Sequence, residues 1–380
     1  MGVLNLKVLF VDQISTVNYK YSFSIIKNLR EDFDVIFVSD EKKFDGNGVV
    51  SYDYFGGTTS KERNKIQKTI TYIRAWKNIL NLCRENRIDI LHLQWFILSP
   101  VDLFYIKKIK KMGVRIVVTV HDILPFNEKF YDYNCHKKIY NLADKIIVQA
   151  KPNIDRINSL FNGISSKVTY IPHGNFVEHA NIIPKDRAKE LLRIDKDKKV
   201  ILFFGQIKKV KGLDVLIKAF NEIIKKNEND DVLLLIAGKV WEDDFSFYEN
   251  LINEVDSSKI RCDIKYIPDE EISWYYCSAD INVLPYREIY QSGVVHLAYA
   301  YEKPVIATNI GSFPEVVIDG ETGILVEKDN YKELQNAIVS LIYDDEKKKD
   351  MGKRGKNHIE KNFSWDAITK DIKDVYYNLK

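Results

Sequence analysis

The chain has 380 residues, 45% apolar and 29% charged, and its 57 Lys and Arg against 54 Asp and Glu leave a formal net charge of +3. That length allows two domains with separate buried cores, and the composition excludes a disordered or fibrous chain. The opening MGVLNLKVLFVD holds too short an apolar run for a signal peptide and no later run approaches the roughly twenty residues that span a bilayer, so a cytoplasmic protein is expected.

Short β-branched and aliphatic runs alternate with amphipathic helical stretches, the pattern of parallel sheets covered on both faces. In chain order, strands are predicted at Leu6–Val11, Val35–Ser39, Ile88–Gln94, Arg115–His121, Lys145–Gln149 and Val168–Pro172, and then at Val200–Gly205, Val232–Ala237, Asp263–Ile267, Ile281–Pro285 and Pro304–Thr308. The predicted fold class is α/β with two doubly wound, Rossmann-like domains facing a cleft: 1–178, 179–362, and a terminal helix at 363–380 that returns to the first domain. The segment between Gly174 and Lys198 lacks a strand signal and supplies the connection. Ligands of such sheets lie beyond the carboxyl ends of the strands, so the residues there are the ones to read.

Charge is distributed unevenly. Residues 1–178 carry +8 and the remainder −5. Lys61, Lys65 and Lys68 share one face of a predicted helix, and Lys107, Lys108, Lys110 and Lys111 fall within one arc of another. A solvated surface and an anionic membrane leaflet both fit these lysines. No arginine-aromatic pattern of a base-reading module accompanies them, which argues against nucleic acid. Cys83, Cys135, Cys262 and Cys277 have neither a paired framework nor metal-ligand spacing and are expected to be buried free thiols.

The most informative stretch is PYREIYQSGVVHLAYAYEKPVIATNIGSFPEVVIDGETG, from Pro285 to Gly323. It reads as strand end, Ser-Gly turn, helix, strand, glycine turn and second helix. The first N–H groups of a helix have no internal partner and carry partial positive charge, so the amides of Ser292, Gly293 and Val294, after Gln291, are candidates to hold an anion. In ILFFGQIKKVKGLDVLIKAF, Gly205 ends a strand, Gln206 follows, and Lys208 and Lys211 stand in the loop before Gly212. Two cations at a strand mouth can neutralise a diphosphate as it departs. His121 and Asp122 directly follow a buried strand. The Asp-x-Asp at Asp32-Phe33-Asp34 precedes a strand and is read as a loop, so no metal site is expected; Lys208 and Lys211 can supply the positive charge instead.

The order of these parts resembles the family 4 glycosyltransferases, which move a sugar from a nucleotide diphosphate to an acceptor. The resemblance covers nearly the whole chain and implies a GT-B architecture, transfer with retention of configuration, and no cofactor besides the nucleotide-sugar donor. It implies that His121 contacts the donor sugar, that Tyr266 and Ile267 lie near the nucleobase, where core packing is an equal reading, and that Glu315 matches a glutamate after the second glycine turn, where helix capping is an equal reading. His173, in YIPHG, is read as architectural. The chain departs from the family in two places: Gln206 stands where many members have Arg, and Ile289 and Leu297 occupy the register of the usual paired glutamates. The implied partners are an oligosaccharide or lipid-linked sugar acceptor and, through the lysines, an anionic membrane surface in bacterial surface-polysaccharide assembly. A nucleotide-sugar epimerase, a phosphorylase on the same paired sheets, and a non-catalytic sugar-nucleotide-binding scaffold are the alternatives.

Overall fold

The computed structural model describes residues 6–379 apart from 42–47, 59–62, 126, 227–230, 242–244 and 255. Its contacts divide the chain into two compact units, 1–174 with 365–380, and 175–364.

The first unit is a seven-stranded sheet. Its strands are β1 (Lys7–Val11), β2 (Asp34–Ser39), β3 (Val50–Asp53), β4 (Ile90–Leu93), β5 (Arg115–Val120), β6 (Lys145–Val148) and β7 (Val168–Tyr170), in the order β3-β2-β1-β4-β5-β6-β7. Every pair is parallel. Because both faces are covered, β1 and β4 carry almost unbroken apolar runs. The helix Ser15–Leu29 packs beside the terminal helix Trp365–Tyr377. That helix buries Trp365, Ile368, Ile372 and Tyr376 in the cluster that holds Val8, Phe10 and Phe37. Its Tyr376 hydroxyl meets His92 Nδ1 at 2.6 Å, and His92 Nε2 meets Thr119 Oγ1 at 2.7 Å, so this wholly buried histidine ties β4 to β5 and to the terminal helix.

The second unit is a six-stranded parallel sheet, β8 (Lys199–Phe204), β9 (Val232–Ala237), β10 (Ile260–Asp263), β11 (Ile281–Leu284), β12 (Val305–Thr308) and β13 (Gly323–Val326), in the order β10-β9-β8-β11-β12-β13. Two apolar clusters sandwich it. Asp280, just before β11, accepts from the Val200 amide at 2.8 Å and pairs with Lys185 at 2.7 Å and Lys348 at 3.1 Å. Burial alone would raise its pKa, but these cations outweigh burial and hold it below the ordinary value.

The structure departs from the sequence reading in five respects. Strands β3 and β13 were not predicted; both are sheet edges, and β3 is only half-buried, so neither shows a long apolar run. Strand β10 is Ile260–Asp263, so the alternation in Asp263–Ile267 belongs to the turn that follows it. The division falls after Gly174 and not at 178, because the Asn175 amide nitrogens donate to the carbonyls of Ile359 and Phe363 in the second unit. At the other end it falls after Ser364 in place of 362, since Trp365 packs on Tyr21 and His173. Cys262 is exposed on an edge strand while the other three cysteines are buried. Lys61 lies outside the described residues. No described helix is long and apolar enough to cross a membrane.

Candidate active site

At the carboxyl end of β8 the backbone turns sharply at Gly205, whose φ is +121°. Gly238, after β9, has φ +148° and lies so close that a Cβ there would collide with the Gly205 carbonyl. Only glycine relieves both demands. Beyond them the loop is pinned to its neighbour: the Ile207 amide donates to Lys239 O at 2.9 Å and the Trp241 amide to Ile207 O at 3.1 Å. Gln206 is exposed.

Lys209–Lys211 forms one 3-10 turn that ends at Gly212, with φ +65°. A side chain at Gly212 would strike the Pro285 carbonyl oxygen. This contact sets the lysine turn directly against the end of β11. The Lys211 ammonium lies 3.8 Å from the centroid of the Tyr286 ring. Tyr286 is buried, which raises its pKa, and Ser292 nearby tempers the rise. Ser292 Oγ itself has no partner at hydrogen-bond geometry. Lys208 leans the other way, its ammonium 5.2 Å from the ring of Trp241 after β9. The two lysines assigned to one diphosphate therefore straddle β8, and it is Lys211 that stands on the Tyr286 side.

The helix Gly293–Ala300 begins with Ser292 as N-cap, and no side chain caps it. Buried within its mouth, Gln291 Oε1 and Ser292 Oγ lack hydrogen-bond partners. The opening comes close to the β8 turn, since a Cβ on Gly205 would sit 3.6 Å from Val294 Cγ2. Gly205, Gly293, Val294, Ser292 and Lys211 thus gather at the carboxyl edge of β8 and β11. Uncapped amides, unpartnered oxygens and an ammonium in this arrangement suit a phosphorylated, hydroxylated ligand.

Arg287 fixes this geometry and was missed in the sequence. Its guanidinium bonds both Asp214 oxygens at 2.7 and 2.8 Å, Asp329 at 2.5 Å and Lys209 O at 3.0 Å, and its amide donates to Val210 O at 2.7 Å. The Asp214 bonds, with Asp329, raise the Arg287 pKa still further. Burial would raise the pKa of Asp214, but Arg287 lowers it overall. An arginine two residues past a strand-end proline is the only local signal, because its partners lie 73 and 42 positions away.

The remaining sites of the second unit separate in role. Ile289 and Leu297, in the register of the family's glutamates, are buried apolar side chains. The second glycine turn packs on this segment: Gly311 has φ +53° and abuts the Ile289 carbonyl. Glu315 lies in the four-residue helix Phe313–Val316, its amide donating to Ser312 O at 3.2 Å. Tyr266 is open to solvent, whereas the Ile267 side chain belongs to the core, so only its backbone is available to a ligand.

In the first unit, His121 follows β5 and is 2% exposed. Its ring stacks on Trp95 at 4.4 Å, and Nε2 donates to Gln94 Oε1 at 3.0 Å, which leaves Nδ1 as a buried acceptor with no partner. Burial drives its pKa down to about 3, so the imidazole is neutral. It borders a cavity of about 110 Å³ with Gln94, Trp95, Asp122, His136 and Tyr140. His173 is buried against Tyr21 and Trp365, with Nδ1 donating to Gly174 O at 2.6 Å.

Both units match known protein families. The family described as Glycosyltransferase Family 4 matches residues 20–175, and that described as Glycosyl transferases group 1 matches residues 184–358. The two matches account for both units, and the chain belongs to the family 4 glycosyltransferases, whose architecture is GT-B. The D-inositol 3-phosphate glycosyltransferase of Corynebacterium aurimucosum is 31% identical over 195 residues, which is 50% of this chain and 46% of that relative. Sucrose-phosphate synthase from Thermosynechococcus elongatus shares the fold with a TM-score of 0.77 at 17% identity, over 99% of each chain. Anabaena HepE, solved in complex with UDP-glucose, gives 0.77 at 15% identity, over 98% of this chain and 100% of that one.

Proposed function

We propose that this glycosyltransferase transfers a sugar from a nucleotide-diphosphate donor, held in the second unit, to an acceptor hydroxyl with retention of configuration. The observation that carries the reading is the meeting of the Lys211 turn and the uncapped Ser292-Gly293 helix mouth around Tyr286. Both parts offer positive potential, and both stand at strand ends where an α/β sheet receives its ligand. A relative solved with UDP-glucose on the same fold supports the nucleotide-sugar class.

In this mechanism Lys211 and the amides of Gly293 and Val294 stabilise the diphosphate as the sugar acquires oxocarbenium character, and Lys208 adds charge from the Trp241 side. The acceptor attacks from the leaving-group face and passes its proton toward the departing phosphate oxygen. The lysines supply the charge a divalent cation would otherwise bring, so no metal is required. His121, a neutral imidazole with a free acceptor lone pair, is suited to a sugar hydroxyl. The acceptor is assigned to the first unit as an oligosaccharide or lipid-linked sugar, within bacterial surface-polysaccharide or glycolipid assembly on the inner face of the cell membrane.

The test is a transfer assay with a panel of nucleotide sugars and lipid-linked acceptors, in the presence and absence of a chelator, with the product's anomeric configuration read by NMR. Retained configuration and chelator-insensitive turnover are expected. Donor conversion without acceptor would identify an epimerase. A requirement for inorganic phosphate would identify a phosphorylase. Tight donor binding with neither transfer nor hydrolysis would identify a scaffold, the alternative motivated by the buried Ile289 and Leu297 in the glutamate register.

A further inference from the structure

The helix Lys65–Glu85 buries Tyr72, Ala75, Trp76, Ile79 and Leu80, yet leaves Ile66, Ile70 and Ile73 exposed at 71%, 45% and 40%. Their spacing of four and three residues places them on one stripe, and at about 100° per residue Lys77 and Arg84 continue that stripe. An exposed isoleucine alone is unremarkable. Three in line, ending in cations, form an amphipathic surface with no partner among the described residues.

The neighbouring helix Ser99–Lys110 extends the surface. Tyr105 stacks on the buried Trp76 at 5.9 Å and meets Phe104 edge-on at 5.1 Å, so these rings hold the second helix against the first. Phe104 is half exposed, with the Lys108 ammonium 4.2 Å from its ring. Lys107 and Lys111 are exposed beside it, while Lys110 is taken up by Asp144. Packed on this helix, Asp132–Leu142 presents Lys137 and Lys138. The acidic residues of these three helices are Glu85, which is exposed, and Asp102 and Asp132, which are buried in hydrogen bonds to Trp76 and Ser99. The face is therefore cationic with apolar side chains standing among the cations.

We propose that this face docks on an anionic bilayer, with Ile66, Ile70, Ile73 and Phe104 entering the boundary between headgroups and acyl chains and the lysines contacting lipid phosphates. The proposal rests on the reading of a lipid-linked acceptor and gives it a surface. Apolar area and basic charge together make a reversible membrane contact, which either alone makes poorly. A second copy of the chain fits less well, because a two-fold contact would set these like charges against one another.

The experiment is flotation of the full chain with vesicles of phosphatidylcholine alone and of equal parts phosphatidylcholine and phosphatidylglycerol, at low and high salt. The protein should float with the anionic vesicles at low salt and be released by high salt. An Ile66→Ser/Ile70→Ser/Ile73→Ser variant should bind at least about tenfold more weakly, and Lys107→Gln/Lys108→Gln/Lys111→Gln should also lose affinity. Both variants change exposed residues and should keep the wild-type melting temperature. Unchanged binding by the isoleucine variant would overturn the proposal, as would equal binding to both vesicles. A dimer seen by light scattering that the isoleucine variant abolishes would overturn it in favour of a second copy. Stabilisation by a nucleoside diphosphate, measured without vesicles, tests the donor site separately, so failure of one reading is not mistaken for failure of the other.

Discussion

The Lys211 ammonium sits 3.8 Å from the Tyr286 ring centroid, and that contact aims the lysine from the β8 turn toward the helix mouth that follows β11. An ammonium over an aromatic face gains about 0.5–2 kcal/mol, enough to favour one direction for a flexible side chain without trapping it. Lys211→Ala should lower turnover at least about tenfold, equivalent to roughly 1.4 kcal/mol of lost transition-state stabilisation. Tyr286→Leu should cost less, since the charge remains and only its aim is lost. Steady-state kinetics of both variants decide this, and near-normal transfer by Lys211→Ala would remove that residue from the site.

Arg287 joins both parts of the site, so its loss should affect stability and turnover together. Arg287→Ala should destabilise the second unit by about 1.5–3 kcal/mol, the range for hydrogen bonds to charged groups. Asp214→Asn should have a smaller effect of the same kind. The double variant should be little worse than Arg287→Ala, because the two residues share one interaction. Urea unfolding of the three variants measures the coupling, and strict additivity would count against the clamp.

Gly212 tests the backbone fit. Its left-handed conformation and the adjacent Pro285 carbonyl both exclude a side chain. Gly212→Ala should displace the lysine turn, lower the melting temperature and weaken nucleotide binding. Gly320→Ala also has positive φ but meets nothing within 4 Å, and it should lower stability through backbone strain alone without touching nucleotide affinity. Equal effects of the two on binding would contradict the assignment.

His121 carries the clearest pH prediction. Its folded pKa of about 3 lies below the ordinary 6.5, so between those values the unfolded chain binds a proton that the folded chain refuses. Its contribution to stability is therefore complete above about pH 6.5 and declines as the pH falls toward 3. NMR should show no titration of the His121 ring between pH 5 and 8, and its protonation should set no limb of the rate profile there. A His121 resonance titrating near 6.5 would contradict its burial.

What could be read from the sequence follows the physics of burial. Central strands such as β1, β8 and β9 are covered on both faces and announce themselves as aliphatic runs. Edge strands do not: β13 opens with Gly323, and β10 exposes Cys262. The glycine turns and the Ser292-Gly293 mouth were legible because local backbone demands select those residues. Arg287 was not, since its meaning lies in Asp214 and Asp329, which only the fold brings to it. The opposite leanings of Lys208 and Lys211 likewise depend on Trp241 and Tyr286, which follow β9 and β11, the strands to either side of β8.

Calorimetric titration of the protein and of Lys211→Ala with uridine, adenosine and guanosine diphosphates tests the diphosphate site most directly. At least one nucleotide should bind the wild-type protein, and the variant should bind that nucleotide about tenfold or more weakly while losing less affinity for the nucleoside alone, which lacks the phosphates. Equal affinity of wild type and variant for the diphosphate would contradict the account.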